Sequence, residues 1–194
     1  MVQPFTCNAA ECSVPKLRLA ALRTPAAQFL GLFGLIALAI FWTLATPGAA
    51  AGFVQPFTQL LVDISAHLIA PFDSRVIADG DILRFSDGRG AVQVLSGCNA
   101  VEVCALLAAA MLAYPTTFLR SLTGAALAIL ALQVVNLLRI ISLLYLSRGE
   151  PSLFEFFHNY VWDAMIGLEG LILFFTWAHF QPVARAARMD EVAA

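Results

Sequence analysis

The chain has 194 residues, 60% of them hydrophobic and only 12% charged, with a formal net charge of -2 and a mean hydropathy of +0.82. A soluble domain of this size needs far more charge to cover its surface, so the composition selects an integral membrane protein of one domain. A near-neutral balance with no basic stripe excludes nucleic acid as a partner.

The first 25 residues are mostly polar and read as a cytoplasmic tail, with Lys16, Arg18 and Arg23 among them. Cys7 and Cys12 lie in that tail, where they could pair or hold a metal weakly, but a plain polar tail is the preferred reading. The chain has no C-x-x-C pair or histidine cluster of zinc-ligand spacing, and no cofactor is expected. Ala26 to Thr46 runs without a charge for long enough to cross a bilayer. It exceeds an ordinary signal-peptide core, so it reads as an uncleaved anchor.

Phe53 to Phe72 is amphipathic. Phe57, Leu60, Leu61, Ile64, Leu68 and Phe72 recur at helical spacing, while Gln55, Gln59, Asp63 and His67 form a polar stripe four residues apart. Such a helix belongs in the membrane interface, bracketed by Pro56 and Pro71. Arg75 to Ser96 alternates as strands do, divided by Asp79-Gly80 and Asp87-Gly88-Arg89-Gly90, with Leu83, Phe85, Val92 and Val94 on one apolar side. Open strands cannot sit in hydrocarbon, so this piece lies outside the bilayer core.

Three further apolar runs follow, at about 101–118, 122–146 and 160–180. Trp42, Tyr114, Tyr145, Trp162 and Trp177 fall near their ends, where interfacial aromatics are enriched. The fold class is therefore an all-α membrane protein. It is a polytopic helical bundle of about four transmembrane helices, with an interfacial amphipathic helix and a small extramembrane β-hairpin region. Residues 26–180 form the membrane-embedded domain, 47–97 an external segment, and 181–194 a cytoplasmic tail. With four spans, Lys16, Arg18, Arg23, Arg120, Arg185 and Arg188 share the cytoplasmic side. A fifth span at 53–72 would move the hairpin arginines to that side, and charge counting alone favours that arrangement. Four spans are preferred because Asp63 and its stripe are costly in lipid.

This topology brings Cys98, Arg139 and His158 to one membrane face. Cys98 opens the second span, which descends to Arg120. The next span returns to the starting height near Arg139, and His158 begins the last span on the same side. The three residue types complement one another. A thiol becomes nucleophilic when a neighbouring cation lowers its pKa, a histidine moves the protons, and an arginine holds a developing oxyanion. Acyl transfer through a thioester is the reaction such parts would run. Glu102, Asn136 and Glu155 lie within a turn of the three and are candidate supporting residues, with Asn99 beside the cysteine. Cys104 points to another side of its helix and reads as packing. A second reading is a non-enzymatic transport or assembly protein in which Arg139 and Glu169 line a polar path.

Ser96-Gly97-Cys98-Asn99-Ala100-Val101-Glu102, Asn136-Leu137-Leu138-Arg139-Ile140 and Phe156-Phe157-His158 resemble, in order and spacing, the three signature blocks of the exosortase/archaeosortase family. The GCNAVE form and the short chain look most like the exosortase H subgroup. The resemblance covers roughly Ile77 to Phe180. It implies a membrane-embedded cysteine transpeptidase of the bacterial inner membrane, with its active site toward the periplasm. Its implied partners, besides membrane lipid, are exported proteins ending in an IPTL-CTERM or PEP-CTERM type signal, a transmembrane helix and a basic tail. The implied roles are nucleophile for Cys98, orienting or transition-state cation for Arg139, and general acid/base for His158.

Overall fold

The computed structural model describes residues 25–181. Most of the two tails, with Cys7, Cys12, Lys16, Arg18, Arg23, Arg185 and Arg188, lies outside the described residues. Helix α1 spans Pro25–Leu44. A capped turn begins at Thr46, whose hydroxyl accepts the Ala49 N–H. It runs through a π-helical stretch, Ala50–Val54, into α2, Gln55–Ile69. After three strands come α3, Val101–Ala113, and α4, Phe118–Leu146. Helix α5, Pro151–His179, is interrupted by a second π-helical stretch at Phe157–Val161.

Helices α1, α4 and α5 are long and apolar enough to cross a membrane. Helix α3 has only 13 residues, a rise of about 20 Å against a hydrocarbon core of about 30 Å. The expected span 101–118 is thus cut short at Tyr114, because Pro115 cannot continue the helix. Helices α4 and α5 instead begin earlier than their apolar runs, at Phe118 and Pro151.

Helix α4 is the centre of the bundle. Ser121, Ala125, Ala128, Leu132, Asn136, Arg139 and Leu143 form a continuous buried stripe along it, while Leu127, Leu130, Val134 and Leu138 face outward. Helix α3 packs on α1, α4 and α5. Apolar side chains both inside and out are what a lipid solvent permits, so contact shape rather than water exclusion sets the interfaces. Gly124 meets the indole of Trp177 where a methyl group would clash, and Gly170 of α5 lies against Val103 of α3.

The β region is a three-stranded antiparallel meander, broken at the two turn signals read from the sequence. Strand β1 is Val76–Asp79, β2 Ile82–Phe85 and β3 Ala91–Gln93, in the order β1-β2-β3. Val76 pairs with Phe85, and Leu83 with Val92. The side formed by Leu83, Phe85, Val92 and Val94 is buried as its alternation predicts. It packs with Leu61, Val62 and Ile69 of α2 and Ile140, Leu143 and Leu144 of α4 into one core that also includes Cys98. The β2–β3 turn is clamped to the end of α4. Arg148 lies 4.1 Å over the Phe85 ring and donates to Asp87 at 2.6 Å. Gly90, at φ 108, leaves room there for Ser147 and Arg148.

Helix α2 presents three faces rather than two. Thr58, Leu61, Val62, Ser65 and Ile69 are buried against the protein. Leu60, Ile64 and Leu68 are exposed apolar residues, and Asp63 and His67 are exposed polar ones. That arrangement suits a helix packed on the sheet and α4 while facing both lipid and water.

Candidate active site

Strand β3 feeds the turn that carries Cys98. Gly97 adopts φ 91 and Ala100 φ 56, the latter a left-handed conformation that a residue with a Cβ adopts only when its surroundings impose it. The turn is fastened at several points. Cys98 N–H donates to the Leu95 carbonyl at 2.9 Å. Gly97 N–H donates to Glu102 Oε2 at 3.3 Å, so Glu102 reaches back from the first turn of α3 as the acid of a capping box does. Asn99 Oδ1 accepts the Val101 N–H at 3.1 Å. Cys98 is thereby held just ahead of the first residue of α3.

Arg139 reaches the same place from α4. It lies 21 residues beyond Phe118 in the helix, about 32 Å of rise, which sets it near the far edge of the hydrocarbon. Its Nη2 is 3.8 Å from Cys98 Sγ and donates to Asp163 Oδ1 at 2.8 Å. The Arg139 side chain is 3% exposed and Asp163 59%, so the cation is anchored from the solvent side by a carboxylate.

His158 approaches from α5. Both of its ring nitrogens are 3.9 Å from Cys98 Sγ, and the ring stacks on Phe154 with centroids 5.7 Å apart. His158 sits inside the π-helical stretch Phe157–Val161, where i→i+5 bonding inserts one extra residue into the turn. That insertion lets His158 and Asp163, five positions apart, both reach the Cys98–Arg139 pair.

The three residues expected at one face do meet, with the sulfur between the imidazole and the guanidinium. The expected thiol acidity is different. Burial of Cys98 pushes its thiol above the ordinary range, Arg139 opposes this, and Asp163 adds to it. Burial thus favours the thiol form of Cys98 over the thiolate.

Among the supporting candidates, Glu102 and Asn99 shape the cysteine turn. Asn136 Nδ2 donates to Gln133 Oε1 at 3.2 Å while its buried Oδ1 has no partner. Glu155 is exposed and makes no hydrogen bond to His158. Although the helix starts early, Glu155 turns to solvent. Arg139 pairs with Asp163 and not with Glu169, whose Oε2 is buried without a partner. Nothing in the spacing of Asp163 from Arg139 in the sequence announces the pairing. Among the described residues, no group of three or more His, Cys, Asp and Glu is arranged to hold a metal ion.

A helical membrane bundle that gathers a cysteine, an arginine and a histidine at one end of its spans has the parts of an acyl-transfer enzyme. The family model described as Transmembrane exosortase matches residues 17–176, most of the chain. The protein belongs to the transmembrane exosortases, a family of membrane protein-sorting transpeptidases. No curated protein and no solved structure matches it significantly.

Proposed function

We propose that this protein is a cysteine-dependent sorting transpeptidase that cleaves C-terminal sorting signals from exported proteins through a thioester. The observation that carries the reading is the seat of Cys98 Sγ, 3.9 Å from the His158 ring nitrogens and 3.8 Å from Arg139 Nη2. In the first step His158 takes the thiol proton as Sγ adds to the backbone carbonyl, and Arg139 Nη2 donates to the oxyanion. Collapse of the intermediate breaks the C–N bond. His158 passes its proton to the leaving amine, and the acyl group stays on sulfur. An amine, hydroxyl or water then attacks the thioester, giving its proton to His158 and returning the thiol. Distances of this length tighten when substrate closes the site.

The substrates in this reading are exported proteins with an IPTL-CTERM or PEP-CTERM type signal, followed by a transmembrane helix and a basic tail. The H-subgroup form of the cysteine block favours the first type. The catalytic face looks into the periplasm from the inner membrane, and both tails are cytoplasmic. This orientation agrees with the exported substrate and with a β-meander that must lie outside hydrocarbon.

Replacing Cys98 with Ala should leave the protein inserted in the membrane but stop release of the C-terminal segment from a co-expressed substrate, read by immunoblot and intact mass. Unchanged processing by that variant would overturn the proposal. Trapping the acyl-enzyme on Cys98 and weighing it identifies the substrate fragment and separates peptide transfer from lipid-directed acyl transfer.

A further inference from the structure

A directional string of hydrogen bonds ties the cysteine turn to two helices. Asn99 is 1% exposed, so each of its polar atoms must find a partner. Its Oδ1 accepts the Val101 N–H, so its Nδ2 is the donor that reaches Thr58 Oγ1 of α2 at 3.0 Å. The Thr58 hydroxyl passes its own proton to the Val54 carbonyl at 2.8 Å. The Asn99 backbone carbonyl can only accept, and Gln133 Nε2 of α4 donates to it at 3.2 Å. That fixes Gln133 Oε1 as the acceptor of Asn136 Nδ2, one helical turn below Arg139.

Gln133 therefore joins the backbone of the residue after the nucleophile to the face of α4 that carries Arg139. Neither end is held in this way by any other side chain among the described residues. Cys98 and Arg139 belong to elements separated by the whole of α3, and their side chains meet only if the turn and α4 keep one register. Packing alone sets that register loosely, since the lipid-facing bundle is held by shape rather than by water exclusion. A buried amide with both ends used sets it to within a hydrogen-bond length. The left-handed Ala100 next to Asn99 also needs such over-determination to persist.

We infer that Gln133 is a positioning residue for the nucleophile: it registers the Cys98 turn against α4 and so sets the distance from Sγ to the Arg139 guanidinium. This rests on the proposed role of Cys98. Gln133 Nε2 also lies 3.3 Å from Cys104 Sγ, which gives the rival assignment, a local packing role around Cys104.

The test uses the full chain in membrane vesicles, with Cys104→Ala, Cys7→Ser and Cys12→Ser so that Cys98 is the only thiol. Gln133→Met keeps the volume but removes both hydrogen-bonding functions. It should lower kcat for substrate processing roughly ten- to a hundred-fold, the cost of misplacing a reacting group by about an ångström, with KM little changed. The pH profile of Cys98 alkylation by a small maleimide should move upward, because the thiolate loses its registered cation. Thr58→Val, which leaves α4 untouched and breaks the far end of the string, should shift both readouts the same way by less. An alkylation profile and kcat equal to the parent in Gln133→Met would overturn the inference. So would a fall in kcat that merely tracks a lowered melting temperature with the alkylation profile unmoved. The Cys104→Ala parent alone should process substrate normally, and a matching loss there would assign Gln133 to Cys104 instead. The alkylation arm reads the register whether or not the substrate is right, so its failure is separate from that of the proposed function.

Discussion

Arg139 is the residue on which the site balances. Its guanidinium is nearly fully buried, its Nη2 serves both Cys98 and Asp163, and its Nε has no partner. A buried cation left with no counter-charge is costly, so Asp163 matters chiefly by compensating that charge and keeping the Arg139 guanidinium aimed at the sulfur. Asp163→Ala should reduce processing about ten- to a hundred-fold, while Asp163→Asn, which keeps the acceptor, should retain more activity than Ala; processing kinetics on both variants check the order. The raised Cys98 thiol makes a second prediction. A group whose proton is held by burial is mostly neutral near pH 7, so alkylation should be slow there and accelerate as pH rises past the ordinary thiol range. Fast, pH-independent labelling at neutral pH would contradict it. At the rim, hydrogen bonds from Arg75 hold the half-buried Asp73 carboxyl down to about 2. That ion pair persists through the whole physiological range and opens only in strong acid.

One element of unusual geometry carries His158. The π-helical stretch at Phe157–Val161 is an α-helix with one residue too many. Deleting the exposed Asn159 should restore an ordinary helix. It would turn His158 by about 100° relative to the helix below, as one residue of a 3.6-residue turn dictates. Insertion should survive and processing should be lost, seen by protease protection beside a processing assay. Gly124 is the opposite case. It lies against Trp177, toward the end of α5 away from the site. Gly124→Ala would force α4 and α5 apart and should cost about 1–3 kcal/mol of stability. It should lower the melting temperature in detergent with a proportionate effect on activity, since the site lies at the other end of α5.

For the whole molecule, the open question of the charge pattern is where 53–72 runs. Helix α2 buries one face on the sheet and α4, and its Asp63 and His67 remain exposed, the arrangement of an interfacial helix. A single cysteine introduced at Gln59 or Asp63 should label with an impermeant reagent from outside intact cells. Labelling only after lysis would place this face in the cytoplasm and invert the proposed orientation.

Composition and periodicity alone determined that this chain enters a membrane, which apolar runs become α1, α4 and α5, and which side of the sheet is apolar, because burial in lipid or core demands uninterrupted or alternating apolar residues. The motif spacing also brought Cys98, Arg139 and His158 to one height, since helical rise converts sequence distance into depth. The tertiary structure decided what those rules do not encode. Asp163 rather than Glu169 pairs with Arg139, because Glu169 lies six residues, about 9 Å of helix rise, further along α5. Glu155 turns to solvent, Gln133 bridges two elements, and the thiol is raised rather than lowered. Each depends on a three-dimensional contact or on how deeply the contact is buried, and a one-dimensional pattern carries neither.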